Sequence, residues 1–530
     1  MQNKILTPNH RQIDWYKRKT AFIHFTVNTF TGNEWGDGTE SPEIFNPTEL
    51  DSEQWIKALV DSGFTNAILT AKHHDGFCLW PSAYTEHSVK NSPYKNGKGD
   101  VVREFIDACH KYGIKPGLYL SPWDRNFKEW GTEKYNEYYA NQLTELMTEY
   151  GPIYECWWDG AGSTEACYDW KRWVNIVREN QKDCVIFGSL GATEFVDVRW
   201  VGNELGKAAD NCYATIDASS LETETGPELF RGKKDGNRFI PAECDVSIRP
   251  GWFYHKEQDA LVKSPVDLTK YWFTSVGRNC GILLNIPPDK RGLLCEKDVE
   301  NLKIWNERIN DIFKENLLKD IDFSGIENNF VIDYKFDTPQ KINCVRLEED
   351  IAFGQRINDF KVEALVDGEW KTICDGKVIG NCFARYFDTV TAEAIKITAS
   401  SDDKPVLKFV GAFFANEDYF VESFENAETV DLTKLPSAKI INNKTDVEIE
   451  FGGIFPFNTV VFDGEKFPYY EVFAFNGSQY ESVYFGVHSS EHEVCKFQTV
   501  EGSYKIKISA YECDGFNENA KISVLLTGDK

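Results

Sequence analysis

The first three-fifths of the chain alternates short runs of β-branched or aromatic residues with longer stretches whose apolar positions recur every three or four residues. Period two marks strands and period 3.6 marks helices, so the rhythm predicts repeated β/α units. Strand-like runs fall at 21–27, 67–71, 116–121, 153–159, 185–188, 199–202, 239–243 and 281–286. Eight such runs is the number that closes a parallel barrel. Between them Val102, Phe105, Ile106 and Cys109 form one helical stripe, and Tyr139, Leu143, Leu146, Met147 and Tyr150 form another. A last helix, expected over about 296–318, carries Val299, Leu302, Ile309, Ile312 and Phe313 on one side.

From about residue 320 the pattern shortens to alternating runs separated by Asp-Gly and Asn-Gly turns, as at 362–370 and 462–468, which predicts antiparallel β-structure. About 210 residues of this kind suit two sandwiches, divided near 416–429 where acidic and polar residues interrupt the strands. The expected fold class is α/β: a (β/α)8-like TIM barrel over 1–318, followed by two all-β sandwich domains over 319–418 and 419–530.

Charge narrows the partners. With 84 acidic and 58 basic side chains the net charge is −26, which argues against nucleic acid and anionic membrane as partners. No run of about 18 apolar residues occurs, and the start lacks an apolar leader. A cytoplasmic protein is the expectation as the sequence stands, or a secreted or periplasmic one if a signal segment has been removed. The oligomeric state is left open. The 14 cysteines are scattered without a CxxC pair, as expected of small buried hydrophobes, Cys167 among them.

In a β/α barrel, chemistry sits on the loops that follow the carboxyl ends of the strands. Here those positions carry His24; Glu34, Trp35 and Asp37; His73 and His74; Trp80; Trp123; Asp159; Glu204; Glu243; and Arg249 with Trp252. The run Trp157-Trp158-Asp159-Gly160 puts one carboxylate among indoles beside a glycine. Indoles pack on the apolar face of a pyranose, and a carboxylate attacks or supports an oxocarbenium-like carbon. A buried core strand ending in a turn is the structural alternative. The paired histidines invite a metal, but adjacent strand residues point to opposite faces and no HxH or cysteine cluster nearby completes a shell; His488 and His492 lie far off in the tail. No metal and no cofactor is expected. Ser121, Ser189 and Ser247 lack a nucleophile elbow, and residues 277–281 lack the Lys-Ser or Lys-Thr of a phosphate loop.

The segments His24 to Asn28, His73-His74-Asp75-Gly76-Phe77, Trp157-Trp158-Asp159-Gly160 and the run from Gly281 to Asp289 resemble the signature blocks of glycoside hydrolase family 29, the retaining α-L-fucosidases. The resemblance spans about 10–318. Residues 34–38, 200–204 and 241–253 are further similar to the subgroup acting on α-1,3/1,4-linked fucose in Lewis-type glycans. It implies a fucosylated oligosaccharide or glycoconjugate as substrate, Asp159 as nucleophile and Glu204 as acid/base, with Glu243 the competitor for that role or a residue that orients substrate or holds Arg249. His24, Glu34, Trp35, His73, His74, Trp80, Tyr119, Trp158, Glu243, Arg249 and Trp252 are implied to bind substrate; core roles for Tyr119 and Trp158 stay open. The alternatives are a carbohydrate-binding protein that kept the pocket and lost turnover, or another retaining exoglycosidase. Residues 323–415 resemble a discoidin-type, galactose-binding-like sandwich.

Overall fold

The computed structural model describes residues 5–162, 168–188, 196–217, 227–420 and most of 429–527. Cys167, Ser189, His488 and most of the expected 416–429 boundary lie outside the described residues.

The barrel strands are β1 (Thr20–Ile23), β2 (Asn66–Lys72), β3 (Lys115–Leu120), β4 (Glu155–Trp158), β5 (Val185–Gly188) and β6 (Arg199–Trp200). A ribbon of β7 (Thr215–Ile216) and β8 (Arg238–Phe239) precedes the last two staves, β9 (Ala242–Ser247) and β10 (Gly281–Asn285). They pair in the order β5-β4-β3-β2-β1-β10-β9-β6, every pairing parallel. A parallel bridge between Phe187 and Val198 joins the two ends into a nearly closed ring. Strand burial is continuous on both faces, as a parallel sheet covered by helices requires. Both expected stripes, on helices Val101–Tyr112 and Glu133–Glu149, are buried.

Two expected elements shift. The run 239–243 is not one strand: Pro241 has no N–H to give a ladder, so Phe239 stays in the ribbon and the stave begins at Ala242. The last helix ends at Ile312, not 318. Its buried stripe centres on Leu302, Trp305 and Ile312, while Val299 and Ile309 are half-buried. Trp15, on helix His10–Trp15, plugs the amino-terminal mouth. Gly281 makes room for it, since a Cβ there would sit 2.4 Å from the indole.

A five-stranded antiparallel sheet follows, β11 (Asn329–Glu349), β12 (Ile357–Val366), β13 (Glu369–Gly376), β14 (Phe383–Ser401) and β15 (Leu407–Phe413), in the order β13-β12-β14-β11-β15. Register breaks within the long β11/β14 pair let both ends of each strand pack on one core that includes Phe330, Phe336, Val345 and Ile397. This sheet and the barrel form one compact unit. They are joined by backbone bonds from Ala384 to Gly277 and from Leu317 to Ala412, and by Arg278 and Arg385 sharing Asp210.

A second unit, residues 256–262 and 421–530, contains β16 (Thr429–Asp431), β17 (Lys439–Asn442), β18 (Asp446–Asp463), β19 (Tyr469–Phe475), β20 (Tyr480–Val487), β21 (His492–Tyr511) and β22 (Lys521–Thr527). These form one antiparallel sheet over a core of Val447, Phe462, Tyr470, Ile508 and Val524. Of the described cysteines, all but Cys513 are buried as free thiols.

Candidate active site

At the carboxyl ends of the staves, alternation decides which side chains meet. Along β4, Glu155, Trp157 and Asp159 share the inward face, and Cys156 and Trp158 point outward. Asp159 follows the strand end. Its Oδ2 accepts from the Tyr119 hydroxyl at 2.9 Å and its Oδ1 from the Ala161 N–H at 2.8 Å. His74 Nε2 lies 3.7 Å from Oδ2. A carboxylate held at both oxygens, with its side chain still 24% exposed, is aimed rather than buried.

Three imidazoles, His24, His73 and His74, cluster around Tyr119, all desolvated. Burial drops His24 to about 3, puts His73 well below the usual histidine range and lowers His74 despite the Asp159 charge. All three are therefore neutral at pH 7. Their tautomers follow from their partners. The Asn285 amide donates to Ser247 Oγ and the Trp252 carbonyl, so its Oδ1 accepts from His24 Nδ1 at 2.8 Å. Ser121 gives its hydroxyl proton to the Trp123 carbonyl, so its oxygen accepts from His74 Nδ1 at 2.7 Å. In His24 and His74 the Nε2 is thereby left as an acceptor for a hydroxyl. Phe22, Tyr119, Trp157 and Trp252 make an aromatic wall, with ring centroids 5.0–6.2 Å apart for Phe22 with Trp157, Tyr119 and Trp252.

Glu204 stands at the rim on the loop after β6, where its Oε2 accepts from Trp252 Nε1 at 3.2 Å. Crowding by protein raises its pKa, and the charges of Asp159 and Glu34 raise it further against the Trp252 bond. Glu34 fastens the opposite loop. It accepts from the Trp252 backbone N–H at 2.7 Å and meets His255 Nε2 at 2.5 Å. Trp35 is 54% exposed and stands edge-on to Trp123 and His74. The result is a pocket with two carboxyls that feel each other's charge, neutral hydroxyl acceptors and an aromatic wall, a set suited to a small, hydroxyl-rich, partly apolar ring.

The family model for α-L-fucosidase matches residues 5–307. The chain belongs to the α-L-fucosidase family. It is 38% identical over 467 residues to α-L-fucosidase 1 of Arabidopsis thaliana, covering 81% of this chain and 90% of that one. A glycoside hydrolase 29 family member from an unknown rumen bacterium superposes with a TM-score of 0.76 at 32% identity, covering 99% of this chain and all of that one. A Ruminococcus gnavus glycoside hydrolase 29 fucosidase in complex with fucose gives 0.73 at 32% identity, over 79% and 96% of the two chains. This fucosidase is accordingly a glycoside hydrolase.

Four of the sequence-derived residues stand apart from the pocket. Trp80 is 1% exposed and its Nε1 donates to Glu145 on helix Glu133–Glu149, so it belongs to the layer behind the sheet. Trp158 packs outward on Trp170 because strand alternation gives the inward place to Trp157. Arg249 is buried in a two-pronged ion pair with Asp298, not with Glu243, and clamps the loop after β9 to the helix Glu296–Ile312. Glu243 is 1% exposed beneath the pocket, accepting from Trp157 Nε1 at 3.0 Å. Residues that sequence reasoning passed over are Trp157, Phe22, Asn285 and Asp298. Counting inward positions back from Asp159 finds Trp157, and back from His24 finds Phe22. Asn285 ends β10 inside a block already singled out. For Asp298, a helix residue 49 positions from Arg249, no sequence signal existed.

Proposed function

We propose that this fucosidase is an exo-acting, retaining enzyme that releases terminal α-1,3/1,4-linked fucose from Lewis-type oligosaccharides or glycoconjugates by double displacement. The observation that carries the reading is Asp159, oriented at both oxygens and electrostatically coupled to a rim carboxyl, Glu204, whose pKa is raised. In the first step an Asp159 oxygen attacks the anomeric carbon while Glu204 gives its proton to the departing glycosidic oxygen. In the second, Glu204 takes a proton from water, and that water displaces Asp159 by attacking from the opposite face, the one the leaving group vacated. His24, His73 and His74 accept fucose hydroxyls, and the aromatic wall meets the apolar side of the ring. Glu34, Trp35 and Trp123 face the leaving sugar. The linkage preference rests on the likeness of residues 34–38, 200–204 and 241–253 to the α-1,3/1,4 subgroup.

Proton NMR at early times is the test of mechanism, and α-fucose appears first, with the β-anomer growing in only by mutarotation. A first product in the β form would exclude the covalent route. Free-fucose release from Lewis-type trisaccharides against α-1,2- and α-1,6-linked fucosides tests the linkage.

A further inference from the structure

Two acids lie beneath the pocket that the chemistry above does not use. Glu155 and Glu243 are 0% and 1% exposed inside an aromatic barrel core. Glu243 Oε1 accepts from Trp157 Nε1 at 3.0 Å, and Glu155 Oε2 accepts a long bond, 3.4 Å, from Asn66. Glu155 Oε1 and Glu243 Oε2 are buried without a hydrogen bond of good geometry among the described residues, and the Trp15 side chain also lies against the Glu243 carboxyl. No lysine or arginine among the described residues forms an ion pair with either carboxyl. Burial pushes Glu243 up to about 7, against the opposing Trp157 and Trp15 side chains, and raises Glu155 well above the carboxylate range, with the Glu243 charge the next cause. Burying acids this way costs stability, and an apolar residue would fill the core without that cost. What Glu243 does that leucine cannot is accept the one N–H that an indole has to give.

That indole matters to the site above it. Trp157 lies flat on Phe187, centroids 4.1 Å apart and planes within 3°, and on Tyr119 at 5.3 Å and 23°. Tyr119 in turn donates to Asp159 Oδ2. We propose that Glu243 is a positioning residue for the fucosidase reaction: it fixes the Trp157 ring by its N–H and, through the Trp157–Tyr119 stack, aims the hydroxyl that orients Asp159. The assignment rests on Asp159 as the nucleophile. It withdraws Glu243 from contact with sugar.

The test is a double-mutant cycle of Glu243→Leu and Trp157→Phe in the full-length enzyme, read as kcat and KM on an aryl α-L-fucoside. Leaving the indole N–H unmet should lower kcat roughly 10- to 100-fold in Glu243→Leu with KM changed less than about threefold. Trp157→Phe keeps a stacking ring and removes the N–H; it should lose kcat to a similar extent, and the double variant should be no worse than the poorer single. Glu243→Gln, whose amide oxygen still accepts, should recover most of the loss. Multiplying losses in the double variant, a raised KM with kcat retained, or Gln no better than Leu would overturn the proposal. If Glu243→Leu fails to fold, wild-type kcat in Trp157→Phe would overturn it alone. Failure of the nucleophile assignment shows separately, as turnover retained by Asp159→Ala.

Discussion

Glu204→Gln is the sharpest perturbation of the acid/base assignment, because it keeps the volume of the side chain and an oxygen to accept from Trp252 while removing the proton. General acid catalysis contributes about 10²–10⁴-fold when the leaving group is poor. At about 1.4 kcal/mol per tenfold, sugar-linked fucosides should lose roughly 3–5 kcal/mol of transition-state stabilisation in kcat/KM. An activated aryl leaving group departs without a proton, so its kcat/KM should fall less than about tenfold. Its kcat should fall further than its kcat/KM, since the variant also lacks the base for the second step and the fucosyl-enzyme accumulates. Crowding by protein and the charges of Asp159 and Glu34 raise the pKa of Glu204, which keeps its acid form populated to higher pH. The alkaline limb of kcat/KM should therefore flatten in the variant. Michaelis–Menten kinetics on an aryl fucoside and on a Lewis-type trisaccharide, across pH, read all of this. Equal losses on both substrates, or leaving-group dependence that follows Glu243→Gln, would refute the assignment.

Two further outcomes separate chemistry from scaffold. Asp159→Ala should lose roughly a thousandfold or more in turnover with its fold intact, and azide should restore part of the rate by forming the inverted fucosyl azide; near-normal hydrolysis by the pure variant would remove Asp159 from its role. Trp80→Phe, by contrast, leaves Glu145 without an indole N–H behind the sheet and should cost about 1–3 kcal/mol of stability with KM unchanged; a raised KM would return Trp80 to the pocket.

Why some residues were legible in the sequence and others not comes down to range. Strand and helix periods are local, so the barrel staves and both helical stripes could be read to within a few residues, and the carboxyl-end rule then gathered His24, His74, Asp159 and Glu204 on one face. Errors arose where one residue's direction or one distant partner decides. The family resemblance points to Trp158, although alternation from Asp159 favours Trp157. The stave at 242–247 reads early in the sequence because aromatic Phe239 has strand character, and it is Pro241 that interrupts the run. Arg249 reads in the sequence as a partner of substrate or Glu243, because the helix bringing Asp298 against it is fixed only by packing of the whole barrel. The family resemblance offers Glu243 as the competitor for the acid/base or as a residue that orients substrate or holds Arg249, and sequence does not say whether its carboxyl opens to solvent or to an indole.

The same buried acids set how stability responds to pH, and Asp75 offers the cleanest case. It is 0% exposed, with Oδ2 accepting from Thr26 and Asn28, and Oδ1 from the Phe77 N–H at 2.7 Å. Burial, with the Glu40 and Asp124 charges behind it, raises its pKa to about 7 against the Phe77 and Thr26 bonds. Because the folded pKa lies above the unfolded one, near 4, the native state holds the proton through a window in which the unfolded chain has lost it. This contribution is fully present below about pH 4, declines as pH rises, and is gone above about 7, a change on the order of 4 kcal/mol. Asp75→Asn keeps an oxygen for Phe77 and cannot ionise. Measured by thermal unfolding of both proteins between pH 5 and 8, the variant should gain on the wild type as pH rises. A stability difference that is flat with pH, or that moves the other way, would show that Asp75 ionises as freely in the folded protein as in the unfolded chain. The effect reaches the site, because Asn28 joins Asp75 to the Glu34 carbonyl and the Asp75 carboxyl lies 3.9 Å from His73. Ionising Asp75 near pH 7 therefore places a charge on the carboxyl that ties the Glu34 loop to the paired histidines.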